Sequence, residues 1–121
     1  MSRDGMRIRY CHEKIAQAVR RTMLHDDLET LADAFGSVEL STKNSAPLTG
    51  QALAWQDELL AMIKPSSDDF AAAKKNGTGG YYERARRFTV DNKINFARTL
   101  WELHGALTSI WHGAAPLNEE D

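Results

Sequence analysis

The chain predicts an all-α fold: a single-domain helical bundle of four to five helices with a long C-terminal helix. Three observations carry this. Apolar residues recur at helical spacing in several segments. Ser, Thr or Asp precedes these segments and Gly or Pro follows them, as helix starts and stops require. Val38 and Leu40 alternate with polar neighbours, which allows a short extended piece but no sheet.

The first amphipathic segment runs from Tyr10 to His25, with Ile15, Val19, Thr22 and Met23 on one side. A second apolar set, Leu24, Leu28, Leu31 and Phe35, lies about 150–180° from the first on a continuous helix. Either the helix breaks near "HDD", with Asp26 or Asp27 capping a second one, or a single helix shows two apolar faces. Gly36 reads as a stop, and residues 37–47 ("SVELSTKNSAP") as a loop.

Thr49 reads as the cap of a third helix that stops at Ile63, before Pro65. Leu53, Leu59, Leu60 and Ile63 make its broad face, while Leu48, Trp55 and Met62 form a second stripe at spacings of seven. A helix apolar nearly all round needs cover on both sides. Ser66 or Ser67 caps a short helix over "DDFAAAKK" that stops at Asn76-Gly77. From Tyr81 a stripe of Tyr82, Ala85, Thr89, Asn92, Phe96, Leu100, Leu103, Leu107 and Trp111 predicts a helix of about 30 residues, on the order of 45 Å long. The polar Thr89 and Asn92 mark "TVDN" as the place for a break or kink. Gly113 and Pro116 end it. Residues 1–116 form the expected domain and 117–121 an acidic tail.

Composition narrows the function. The 121 residues suffice for one core without staples, and the net charge of −2 argues against a general polycation. Charge is blocked by sign: net +4 over residues 1–21, −7 over 22–72, +5 over 73–98 and −4 over 99–121. Such blocks suit charge pairing within a chain or between chains. The single cysteine, Cys11, forms no internal disulfide, and the longest apolar run is the five residues Leu59 to Ile63. A cytoplasmic protein without membrane contact is the expectation.

The stretch "AKKNGTGGYYERARR" offers an anion site. It precedes a helix, but it lacks the Walker spacing and follows a helix rather than a strand. A glycine-built corner is the simpler reading. Lys74, Lys75, Tyr81, Tyr82, Arg84 and Arg87 make a modest basic-aromatic patch for nucleic acid, to which Arg3, Arg7 and Arg9 add an arm. Glu83 is placed to pair with Arg87 at i+4.

Histidines 12, 25, 104 and 112 are scattered, with no HExxH, no CxxC and no i, i+4 pair. An enzyme would need a pocket gathering Cys11, His12 or His104 with a carboxylate. Carboxylates at 26, 27, 29, 33, 57, 58, 68 and 69 read as solvated faces, dipole partners or an acidic docking surface. Neither cofactor nor metal is implied, and no enzyme activity is expected.

Trp55, Met62 and Leu48 fall off the main stripe of the third helix, and Trp101 off that of the last. These residue types favour interfaces. The expected function is a small regulatory or inhibitory protein that binds another protein, as a homodimer. Leu48, Trp55, Met62 and Trp101 are its expected contacts, with Arg84 and Arg87 at the rim. A nucleic-acid-binding module built on the Gly-rich loop is the alternative.

Overall fold

A computed structural model describes residues 3–24, 27–43 and 48–114. Among these the chain forms six helices and no strand: α1 (Arg3–Leu24), α2 (Leu28–Lys43), α3 (Gly50–Ile63), α4 (Ser67–Asn76), α5 (Gly80–Arg86) and α6 (Val90–Ala114). The expected acidic tail, Asp26 as a cap, and the stop at Pro116 lie outside the described residues.

Helix α1 starts earlier than the periodicity suggested. Ile8 and Cys11 extend the buried line of Ile15, Ala18 and Val19 by two turns, so the basic N-terminal segment is helical and not an arm. The chain breaks before Leu28, where Asp27 caps α2 by accepting a 2.7 Å hydrogen bond from the Thr30 amide.

Gly36 does not stop α2, and residues 37–43 are helix rather than loop. Tertiary packing overrides the local signals here. Ala34, Phe35 and Val38 are buried in the core, and that burial continues the helix past the glycine. The Ser/Thr hydroxyls that suggested a loop bond backwards along the helix instead: Ser41 Oγ donates to the Val38 carbonyl and Thr42 Oγ1 to that of Glu39, each at 2.7 Å.

Thr49 occupies the N-cap of α3 but makes no capping bond with its side chain. Ala52, Gln56, Leu59 and Ile63 form the buried face; Leu53, expected on the broad face, is exposed, while Trp55 and Met62 of the second stripe are partly buried against the core. Helix α4 matches its expected limits. Ser66 and Asp69 form a reciprocal capping box, and Gly77 closes the helix in the left-handed region at φ 68°.

The expected 30-residue helix is two, which raises the count from four or five to six. Thr89 and Asn92 are the reason. Asn92 N–H donates to Thr89 Oγ1 at 3.0 Å, and Thr89 N–H donates to Asn92 Oδ1 at 3.1 Å. Two polar residues on an apolar stripe are therefore the start of α6.

One apolar cluster joins α1, α2, α3, α5 and α6. Its centre is aromatic: Phe35 meets Phe88 and Phe96 with ring centroids 5.0 Å apart in each case. Helix α6 packs against α1 on one side and α3 on another, and α4 reaches the bundle through α5. No helix among the described residues is long and apolar enough to cross a membrane.

Candidate protein-interaction surface

Helix α6 carries two stripes. Phe96, Leu100, Leu103 and Leu107 are fully buried and face the core. The other stripe is Val90, Ile94, Ala97, Trp101, His104, Thr108 and Trp111, at alternating spacings of four and three. That spacing keeps the residues on one side of a helix. The apolar periodicity predicts the first stripe and assigns Trp111 to it; Trp111 lies on the second instead, packed against α1, and only Trp101 stands out from that stripe in the sequence. The 4-3-4-3 spacing is the signal that could have found it.

The C-terminal half of the second stripe is covered by α1. His12 Nε2 lies 2.9 Å from Thr108 Oγ1, and its ring centroid is 4.7 Å from His104 and 5.1 Å from Trp111. The Arg9 guanidinium sits 6.0 Å from the Trp111 ring centroid. Burial, then the neighbouring His104 and His112, push the His12 imidazole below its ordinary value. Nothing in the sequence pairs residues 12 and 104. Their meeting is a product of the α1–α6 packing.

The N-terminal half is bare. Val90 is 72% exposed, Ile94 56% and Trp101 58%. Trp101 stacks on the His104 ring with centroids 5.8 Å apart and otherwise faces outwards. Three large apolar side chains on one face are the residue type that water disfavours and partners cover.

The other expected contact residues take different positions. Leu48 is only 7% exposed and belongs to the core. Trp55 and Met62 are half-buried against the core, in a groove of about 460 Å³. Glu58 shares their wall of the groove, while Asn95, Arg98, Thr99 and Glu102 of α6 line the opposite one. Arg84 donates from Nε to the Met62 carbonyl at 2.9 Å. Arg87 Nε lies 2.6 Å from Asp69 Oδ1, a fully buried carboxylate. The two arginines therefore tie α5 and the turn after it to α3 and α4. Burial pushes Asp69 up, but hydrogen bonds from Ser66, then Arg87 and Arg84, outweigh it and hold the carboxyl below its usual value. Asp69 is thus not a solvated acid.

The Gly-rich loop turns a corner. Thr78 N–H closes back on the Ala73 carbonyl at 3.0 Å, and Gly77 supplies the positive φ. A Cβ on Gly80 would come within 2.9 Å of the Phe70 ring, so that glycine allows a close crossing. Glu83, 3% exposed, is buried beside the loop. It accepts from Thr78 Oγ1 and Asn76 Nδ2 and pairs with Arg86 at 3.3 Å, not with Arg87 as its spacing suggested. The Thr78 bond, against burial, holds it ionised below its usual value. A fixed carboxylate on the first turn of α5, bonded to the loop, opposes phosphate there.

The six residues of the basic-aromatic patch are also dispersed. Tyr81 packs edge-on against Phe35, and its hydroxyl is pushed up by burial and by its hydrogen bond to Glu39. The Arg86 guanidinium lies 5.3 Å from the Tyr82 ring centroid. Lys74 and Lys75 are exposed at the end of α4.

Cys11 points into the core beside Ser41, away from His12, and burial pushes its thiol up to about 11. An apolar cleft of about 510 Å³, walled by Leu60, Ile63, Pro65, Phe70 and Tyr81, contains neither Cys11 nor a histidine. Among the described residues no group of His, Cys, Asp and Glu could hold a metal. No protein-family model, no curated protein and no solved structure matches the chain.

Proposed function

We propose that this chain works by binding another protein, as a small regulatory or inhibitory protein that also self-associates. One observation carries the reading: Val90, Ile94 and Trp101 form a continuous exposed apolar stripe on α6. Trp101 is its anchor, since tryptophan dominates the energetics of binding surfaces. Trp55 and Met62 border the same helix from the α3 side and extend the surface in the reading we favour. The lone buried cysteine suits a reducing cytoplasm.

The nucleic-acid alternative is weaker. Arg84, Arg87 and Tyr81 already have partners in the fold, and Lys74 with Lys75 offers only two charges at one helix end. It predicts oligonucleotide binding that falls steeply with salt, which fluorescence anisotropy measures.

A photo-reactive amino acid placed at Ile94, with one at Asp57 as control, tests the protein-binding reading. The reading expects protein adducts in cells from position 94, few from 57, and their loss in Trp101→Asp. Equal labelling from both positions, or adducts that survive Trp101→Asp, would sink it.

A further inference from the structure

We infer that the bare half of the α6 stripe pairs with the same stripe of a second copy, in antiparallel orientation, with Asp91 of each chain facing Arg98 of the other. The inference rests on the protein-binding reading above and names the partner. Val90, Ile94, Ala97 and Trp101 have the 4-3-4 spacing that two helices use to interlock. A two-fold axis between Ile94 and Ala97 sets each Ile94 against Ala97 of the second copy and each Val90 against Trp101. The small Ala97 lets the helices approach at the centre, and the large Trp101 closes each end.

Charge fixes the direction. Asp91 and Arg98 are both exposed, lie on the same flank of the stripe, and are seven residues apart, hence about 20° apart around the helix. Among the described residues neither is in an ion pair; Arg98 donates only to the neutral Asn95 side chain. In an antiparallel pair like flanks meet, so the two-fold brings Asp91 and Arg98 together twice. The axial offset is about two residues, roughly 3 Å, which these side chains span. A parallel pair stacks Trp101 on Trp101 and sets Lys93 against Arg98 of the second copy, two like charges. The stripe is short, so the expected dissociation constant is on the order of micromolar.

Sedimentation equilibrium of the full chain, with D91K, R98E and their equimolar mixture, tests the pairing. The wild type associates with concentration. Each single variant puts like charges across the two-fold and raises the dissociation constant about tenfold. The mixture recovers association, because each chain then meets its opposite. A wild type that stays monomeric, single variants that associate unchanged, or a mixture that fails to recover would each overturn the inference. Trp101→Asp separates the two levels. If it abolishes association while D91K and R98E do not, the register proposed here is wrong and the α6 surface stands. If it too leaves association intact, both fall.

Discussion

The two halves of the second α6 stripe follow the same spacing and meet opposite fates. From His104 to Trp111 the stripe is closed by α1, through His12, Thr108 and the Arg9–Trp111 contact. From Val90 to Trp101 it is open to water. Each half holds one tryptophan of similar chemistry. Periodicity sets which residues share a face, while the length and placement of neighbouring helices set whether that face is core or surface.

Substitution separates the halves most strongly. Trp111→Ala removes a half-buried ring that packs on the core, and should cost about 2 kcal/mol in urea unfolding. Trp101→Ala should change stability by no more than about 0.5 kcal/mol, as exposed sites do. Equal costs would break the comparison.

Thiol reactivity is the next probe, because Cys11 reports whether α1 stays docked. The thiol is fully buried and pushed up to about 11, so reagents should modify it only through opening of the fold. Trp111→Ala should accelerate the reaction by the same factor as its loss of stability, and Trp101→Ala should leave it unchanged.

The smallest effect is with pH. His12 is held below its ordinary 6.5, so the unfolded chain takes up a proton before the folded one does. Its contribution is present above about pH 6.5 and is lost as pH falls below that, towards the folded value. The change should shrink in His12→Gln and persist in Trp101→Ala. Asp69 and Glu83, held below their ordinary 3.8 and 4.5, lose their contributions only in stronger acid. Urea midpoints from pH 8 to about 2 separate the two windows.

Much of the fold was legible because local chemistry and packing agree. Helix α4 has its Ser66 cap and Gly77 stop, and α3 ends before Pro65, where the sequence placed them. Helix α2 was misjudged at Gly36 because the burial of Phe35 and Val38 outweighs a glycine and a run of Ser and Thr. The Thr89–Asn92 box was visible only as two polar residues out of place. Site residues fared differently. Trp101 was legible as an odd aromatic, but Leu48 sits in the core and the His12–His104 meeting spans 92 residues of chain. Arg84 and Arg87 looked like free charges because their partners, the Met62 carbonyl and Asp69, are distant in sequence.

The most direct test compares the two tryptophans in one experiment. Two single-tryptophan chains, one keeping Trp101 and one keeping Trp111, with phenylalanine at the other two positions to preserve the apolar contacts, are quenched with acrylamide across a wide range of protein concentration. Trp101 should be freely quenched in dilute protein and become protected as concentration rises, with Trp111 shielded and unchanged throughout. Quenching of Trp101 that stays the same at every concentration, or protection of Trp111 alone, would contradict it.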